Sequence, residues 1–133
     1  MIVIEGKIKG KARPRFNTKT GRSFTPGDTV QYENWVRLCY QEQDGRYFEG
    51  TVRANIIAYY KVPKSYSKKR LQAIREGLDY PTKKPDGDNI AKIILDSLNK
   101  IAYEDDSQIV ELTVIKRWTT ETERVELELG EIK

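Results

Sequence analysis

Residues 85–106 read PDGDNIAKIILDSLNKIAYEDD, and this stretch decides the fold. Asp88 and Lys92 lie one helical turn apart on a polar sector. At about 100° per residue, a set of apolar residues fills another arc of the same helix, which predicts an amphipathic helix packed on a sheet. This set consists of Ile90, Ala91, Ile94, Leu95, Leu98, Ile101 and Ala102.

Two pairs of carboxylates flank the predicted helix. Asp86 and Asp88 precede it on either side of Gly87, and Asp105 and Asp106 follow it. One aspartate before a helix often serves as a cap for the free backbone N–H groups. Capping explains neither two acids around one glycine nor the second pair. We therefore interpret the four residues as the candidate ligands of a divalent metal ion.

The identity of that ion follows from the spacing. A calcium loop beginning at Asp86 would need glycine at its sixth position and glutamate at its twelfth, where this chain has Ala91 and Ser97. The calcium interpretation is therefore excluded. Mg²⁺, or Mn²⁺ in its place, is held by few carboxylates together with phosphate oxygens, and fits the pattern better.

Composition excludes several chemistries. The chain has 133 residues, which predicts one domain spanning residues 1–133. It contains no histidine, which excludes Ser-His and Cys-His nucleophilic sites and histidine zinc ligands. Its single cysteine, Cys39, permits no internal disulfide and is expected to be a buried, inert thiol. Catalysis would therefore depend on carboxylates, lysines and a metal ion.

The location of the protein is predicted from its hydropathy pattern. No apolar run approaches the length of a membrane span, and 33% of the residues are charged. The first residues, MIVIEGKIKG, lack the apolar region of a secretory signal. We therefore expect a cytoplasmic protein with no membrane partner.

Positive charge is concentrated in two runs that contain no acid. Residues 6–27 carry seven basic side chains and residues 61–75 carry six, although the formal net charge is only +4. Basic surface around a compact acidic cluster is typical of an enzyme that binds a polyanion and cleaves it with metal. A solvated basic face without function is the alternative for either run alone. The predicted DNA contacts are Arg13, Arg15, Lys68, Lys69, Lys83 and Lys84.

The remaining pattern predicts an α/β (α+β) domain with a mixed sheet of about four strands and about three helices. Strands are expected over residues 1–8, 51–62, 108–118 and 125–129, and two further helices over residues 29–43 and 67–77. The link from Thr119 to Arg124 is expected to join the last two strands as a hairpin. A short hairpin is also expected near Arg22 to Thr25, and Trp35 is expected to pack in the core.

The segment KKPDGDNIAKIILDSLNKIAYEDDSQIVEL (83–112) resembles the signature of the RusA-like endodeoxyribonucleases, Holliday junction resolvases often carried by prophages. KARPRFNTKTGRSFTP (11–26) and YENW (32–35) resemble the same family. The paired-acid turn, the lysine one turn later and the distal acid pair all occur in register. Gly87 stands where an apolar residue is expected.

The resemblance implies a homodimer that binds four-way DNA junctions and resolves them by paired symmetric nicks with Mg²⁺ or Mn²⁺, in DNA recombination and repair. By position, it implies metal-site aspartates at Asp86, Asp88 and Asp106 and an active-site lysine at Lys92. A two-fold dimer would supply the two symmetric sites that paired cuts require.

Several alternatives stay open at this point. Asp105 is either a substitute ligand or a residue that supports the ligands, and Asp96 is expected to be ion-paired with Lys92 and Lys100, four residues away on either side. The main alternative function is a non-catalytic basic module that binds branched or single-stranded DNA. A nuclease acting on flaps or forks is a closer alternative. A hydrolase of small phosphorylated substrates is less favoured, since the chain lacks a glycine-rich phosphate loop.

Overall fold

The computed structural model describes residues 1–11, 15–17, 22–24 and 27–132, and for 15–17 and 22–24 it describes the backbone. These residues form six strands and three helices, with a 3₁₀ helix at Asp106–Gln108. These elements are β1 (Ile2–Glu5), β2 (Arg15–Asn17), β3 (Arg22–Phe24), α1 (Gly27–Gln43), β4 (Val52–Lys61), α2 (Lys68–Arg75), α3 (Gly87–Ser97), β5 (Ile109–Thr119) and β6 (Arg124–Glu131).

Four strands form a mixed sheet in the order β1-β6-β4-β5. β6 pairs antiparallel with both β1 and β4, whereas β5 pairs parallel with β4. The short strands β2 and β3 form a separate antiparallel pair, which places a hairpin near the predicted position. The prediction of an α+β fold with four main strands and three helices is therefore confirmed.

The predicted hairpin of β5 and β6 is wrong. β4 lies between these two strands, so the link after Thr119 crosses the end of β4 before β6 returns. The physical reason is that β4 and β5 run parallel, and parallel neighbours require a long crossover connection. The segment from α2 to the end of α3 supplies that crossover. β5 is left at the edge of the sheet.

The core lies between one face of the sheet and the helices. Alternate residues of β4, from Val52 to Tyr60, are at most 2% exposed, as the period-two pattern predicted. The buried residues of α1 and α3 belong to the same cluster. The opposite face of the sheet carries side chains such as Arg53, Asn55 and Tyr59, which retain solvent exposure. We call this the open face.

Two predictions about packing are corrected. Trp35 is 42% exposed rather than buried, and its indole N–H donates to the backbone carbonyl of Glu5 at 2.8 Å. On the edge strand β5, Val110 and Leu112 are 59% and 49% exposed, although the alternation resembles that of a half-buried strand. β5 is the edge strand, and its register with β4 shifts where Val52 pairs with Ile109 and Arg53 with Glu111, so Val110 falls outside the alternation.

Helix α3 is shorter than its apolar periodicity predicted. It ends at Ser97. The backbone N–H groups of Leu98 and Asn99 then donate to the carbonyls of Leu95 and Asp96, three residues earlier, as in the tighter 3₁₀ helix. Lys100 then adopts a left-handed backbone conformation with φ of 66°. This early turn directs the chain back toward the body of the helix. Leu98, Ala102 and Tyr103 are nevertheless fully buried.

Helix α2 begins and ends where its sequence signals predicted. The hydroxyl of Ser67 accepts from the backbone N–H of Arg70 at 3.2 Å, and Gly77 beyond the end has a positive φ of 75°. No helix in the described part of the chain is long and apolar enough to cross a bilayer. The single-domain boundaries and the cytoplasmic location stay predictions.

Candidate active site

The first turn of α3 presents two carboxylates that are not used for capping. Asp86 occupies the N-cap position with extended backbone, but its side chain makes no capping hydrogen bond. Asp88 lies in the first helical turn, where negative charge is favoured by the helix dipole. Both residues are exposed. The carboxylate of Asp86 therefore does not cap the helix, which is the usual role of a lone aspartate at this position.

The turn before Asp86 is held by two side chains of the sheet. The ammonium of Lys116 on β5 donates to the backbone carbonyls of Lys83 at 2.7 Å and Pro85 at 3.1 Å. The hydroxyl of Tyr60 on β4 also donates to the Pro85 carbonyl, at 3.2 Å. Burial, with nearby acids, raises the pKa of Tyr60 to about 12, so this phenol stays a hydrogen-bond donor at neutral pH. The backbone that carries Asp86 is thus fixed to the sheet.

A groove of about 490 Å³ brings three of the four predicted catalytic side chains together. Asp88 and Lys92 line it from α3, and Asp106 lines it from the 3₁₀ helix. We call it the carboxylate groove. The rest of its wall is mainly apolar and consists of Gly87, Ala91, Leu95, Ile109, Leu112 and Val114. Asp86 instead lines an adjacent groove on the other side of the helix start.

Gly87 faces the sheet from the floor of the carboxylate groove. A Cβ atom built there would lie 3.6 Å from Cγ1 of Val114, which is ordinary van der Waals contact. A methyl group at this position would therefore fit without strain. Glycine leaves the groove deeper and does not change the placement of the flanking acids.

Asp106 is oriented by its neighbours in sequence and space. Its backbone N–H donates to Oδ1 of Asn99 at 2.8 Å. Asp105 caps the 3₁₀ helix: its carboxylate accepts from the N–H of Ser107 at 2.9 Å, and its own N–H donates to the side chain of Gln108. Hydrogen bonds from the side chain and the backbone N–H of Ser107 lower the pKa of Asp105. Asp105 is therefore engaged as a structural cap.

Asp96 joins the acidic cluster, and its expected pairing is wrong. Lys100 pairs with Glu104 instead, while Asp96 lies 3.8 Å from the ammonium of Lys11. Its carboxyl also lies within hydrogen-bonding range of Asp106, and the two can form a hydrogen bond when one of them is protonated. This bond, followed by partial burial and the negative charges of Asp96 and Asp105, raises the pKa of Asp106 to about 6.

The donor set fits a small divalent cation. Among the described residues, no three carboxylate or thiol side chains are already arranged around one ion position. Mg²⁺ does not need such a cage, because it is usually held by one or two carboxylates together with waters and substrate phosphates. Asp88 and Asp106 share one groove, and Asp86 lies beside it at the start of the same helix, so carboxylate oxygens are available from both ends of α3.

The predicted DNA contacts are distributed around the helices. Lys68 and Lys69 are exposed in the first turn of α2. Lys83 and Lys84 are exposed just before Asp86, and the ammonium of Lys83 lies 5.4 Å from the ring centre of Tyr60. Arg13 lies outside the described residues, as does the side chain of Arg15.

Helix α2 is anchored to the end of the sheet by a shared carboxylate. Asp79 accepts from the indole N–H of Trp118 at 2.9 Å and from Nε of Arg70 at 3.2 Å. The guanidinium of Arg70 also lies 3.9 Å from the ring centre of Tyr66. The exposed lysines of α2 are therefore presented from a fixed position.

Sequence reasoning missed three residues that shape the site. The sequence pattern assigns Asn99 to the polar sector of a helix and Tyr60 to one face of a strand, and it gives no signal at Lys116. Their contacts join positions 7, 25 and 31 residues apart. Only the Asn99 contact lies within the central motif, and no local spacing indicates the other two.

Comparison with known proteins agrees with this architecture. A family model described as endodeoxyribonuclease RusA matches residues 5–130. The chain belongs to this family of DNA-cleaving enzymes, which confirms the resemblance seen in the central motif. It is also similar to the uncharacterized protein YqaN of Bacillus subtilis (strain 168), with 34% identity over 136 residues, covering 98% of this chain and 95% of that protein.

Proposed function

We propose that this protein is a divalent-metal-dependent endodeoxyribonuclease that binds four-way DNA junctions and resolves them by paired symmetric nicks, in recombination and repair. The observation that carries the proposal is the carboxylate groove, where Asp88, Lys92 and Asp106 meet. Family membership supports the nuclease class and a branched DNA substrate. Mg²⁺ is the proposed cofactor, with Mn²⁺ as a substitute.

Each side chain has a proposed role. Asp86, Asp88 and Asp106 would hold the metal, which when bound lowers the pKa of a water molecule and stabilises charge on the scissile phosphate. Lys92 lies one turn from Asp88 in the same groove and would direct a positive charge at that phosphate. Asn99 would keep Asp106 oriented toward the groove through the backbone.

The apolar wall has a role in the same proposal. Leu95, Ile109 and Val114 border the acids and limit the number of water molecules beside them. Charges act more strongly where water is partly excluded, so this wall would strengthen the pull of Lys92 on the phosphate.

The proposed homodimer would supply one site for each nick. The exposed Val110 on the edge strand β5 supports it, because an apolar side chain at the edge of a sheet favours association with a second chain. Light scattering should give a mass of twice 15.5 kDa. A monomer at working concentration would contradict this part.

The central experiment maps nicks on labelled four-way, forked and linear DNA with Mg²⁺ and with EDTA. We expect paired nicks in the four-way junction with Mg²⁺ and none with EDTA. Asp88→Asn should abolish nicking while junction binding is retained. Glu128→Gln is the control, because Glu128 is an exposed acid on β6 and lies outside the carboxylate groove. Full nicking by Asp88→Asn would remove the proposed ligand.

The same experiment tests the alternatives. A non-catalytic DNA-binding module would bind the junction equally well in EDTA and produce no nicks under any condition. A nuclease with a simpler substrate would cut forked DNA at least as fast as the four-way junction.

A further inference from the structure

A second groove lies on the other side of the α3 N-terminus from the carboxylate groove. It measures about 380 Å³, and four lysines line it together with the carboxylate of Asp86: Lys7, Lys9, Lys11 and Lys84. We call it the lysine groove. Gly87 and Asp88 line the carboxylate groove, whereas Asp86 and Asn89 line the lysine groove, so the two grooves adjoin at the first turn of α3.

Three positive charges of the lysine groove are not neutralised by ion pairs. Lys11, which also lines it, is already paired with Glu33 at 2.8 Å and lies 3.8 Å from Asp96. Within the described residues, no carboxylate lies within 4.0 Å of the ammonium groups of Lys7, Lys9 or Lys84.

Two further acids lie near the outer end of the groove. Glu5 and Asp28 line a neighbouring pocket together with Lys7 and Lys9, but neither forms an ion pair with these lysines. Among the described residues, Asp86 is the one acid that lines the lysine groove itself. The groove therefore carries a local surplus of positive charge directly beside the proposed metal ligands.

Both walls of the lysine groove are fixed to the body of the protein. On one wall, Ile8 is buried between Lys7 and Lys9, and its backbone N–H donates to the side chain of Glu123 at 3.2 Å. The backbone N–H of Lys11 donates to the carbonyl of Asn89 at 3.2 Å, which ties this wall to α3.

The second wall approaches the first closely. A Cβ atom on Gly10 would lie 2.7 Å from Cβ of Pro85, so only glycine allows this contact. Pro85 is in turn held by Lys116 and Tyr60. The backbone of the groove is therefore rigid, while its lysine side chains remain free to adjust to a ligand.

We propose that the lysine groove binds the DNA backbone phosphate adjacent to the scissile one. This inference rests on the proposed nuclease function and deepens it. The cut strand would cross the first turn of α3, with the reacting phosphate on the carboxylate side and its neighbour among Lys7, Lys9 and Lys84. Lysine ammonium groups act as mobile point charges and suit contacts to phosphate without base specificity. The groove therefore fixes the path of the strand.

The first test measures junction binding in EDTA, where cleavage does not occur, at several salt concentrations. The variants are Lys7→Gln with Lys9→Gln in one protein and Lys84→Gln in another. Each lost phosphate contact reduces the slope of log affinity against log salt by about 0.9, so we expect a reduction of about 1 to 2 in the double variant. Arg53→Gln is the matched control, since it removes the same charge from the open face, and should leave the slope unchanged.

The second test replaces single phosphates of the junction with uncharged methylphosphonates. In the wild-type protein, replacement of one phosphate next to the nick position should weaken binding several-fold. In the Lys7 and Lys9 double variant, the same replacement should have no further effect. An unchanged salt slope, or a full methylphosphonate effect in both lysine-groove variants, would overturn the inference.

The two proposals fail in different ways. If the lysine groove contacts DNA, its variants bind the junction more weakly than wild type in EDTA. If the protein is not a nuclease, the wild type binds the junction but produces no nicks. In that second case the methylphosphonate scan still reports which phosphate the groove contacts. Thermal unfolding of each variant shows whether it is folded.

Discussion

The side-chain oxygen of Asn99 accepts a hydrogen bond from the backbone N–H of Asp106 at 2.8 Å. This bond links the turn after α3 to the 3₁₀ helix and orients the distal carboxylate toward the groove. Asn99 therefore supports a candidate ligand without reaching the groove itself.

Replacing Asn99 should affect cleavage more than binding. Asn99→Leu keeps the size of the side chain but removes the acceptor, and residues that support metal ligands typically change activity by about 10- to 100-fold. We expect such a loss in nicking rate, with junction affinity in EDTA unchanged. Asn99→Asp retains the acceptor and should recover part of the rate. Equal rates in Asn99→Leu and wild type would show that Asp106 needs no such support.

Removing the charge of Asp96 should lower the pKa of Asp106 from about 6. The hydrogen bond from Asp96 is the main cause of the raised pKa, and an asparagine amide would instead donate to the ionised Asp106. Carbon-detected NMR titration of the aspartate carboxyls in the absence of divalent cations measures the shift. Glu128→Gln on the open face is the control and should not move this titration.

The same substitution should change how stability depends on pH. An acid whose folded pKa is raised from 3.8 to about 6 binds more protons when folded, so the free energy of unfolding falls as pH rises through this interval. Asp96→Asn should remove this part of the fall. Urea unfolding at pH 4 and pH 7 tests it, and an unchanged difference between the two pH values would contradict the shared proton.

The close contact of Gly10 with the turn before α3 predicts a steric effect. Gly10→Ala would place a methyl group 2.7 Å from Cβ of Pro85 and 3.1 Å from Cβ of Asn89, so the two walls of the lysine groove must separate. Overpacking of this kind costs about 1–3 kcal/mol of stability. Gly27→Ala is the matched control and should stay within about 0.5 kcal/mol of wild type, because no described atom beyond its chain neighbours and its own helix backbone lies within 4 Å of its added Cβ. Chemical denaturation measures both.

The anchor of α2 predicts coupling between two side chains. Asp79→Ala leaves the indole N–H of Trp118 and the guanidinium of Arg70 without their shared acceptor, which should cost about 1–3 kcal/mol. In a double-mutant cycle with Trp118→Phe, the coupling energy should be about 1 kcal/mol. If the stability losses of the two single variants were additive, the hydrogen bond between Asp79 and Trp118 would contribute nothing to stability. Hydrogen exchange should also show faster opening of α2 in Asp79→Ala.

The sequence predicts what local spacing controls. The four strands of the main sheet follow from a period of two residues, and the shared groove of Asp88 and Lys92 follows from the helical period of 3.6. The cap at Ser67 follows from its residue type. The position of β6 between β1 and β4 does not, because strand order depends on the crossover and on pairing over long distances. For the same reason the hydrogen bonds from Lys116 and Tyr60 to the Pro85 carbonyl could not be predicted.

The site was predictable as a cluster but not in its internal arrangement. The spacing placed acids at both ends of one helix, yet the early end of α3 at Ser97 is what turns Asp106 back beside Asp96. That turn depends on the left-handed residue Lys100, which is not a residue type that signals such a conformation. From periodicity alone, α3 would continue beyond Ser97, and Asp96 and Asp106 would lie apart.

The open face of the sheet provides a position for attaching a label. Cys39 is 4% exposed, and burial raises the pKa of its thiol, so it should react slowly with maleimides. Because it is the chain's single cysteine, Glu128→Cys on β6 would introduce one accessible thiol, pointing away from both grooves. A fluorophore or surface tether attached there would leave the helical side unobstructed, so individual molecules could be watched as they encounter branched DNA.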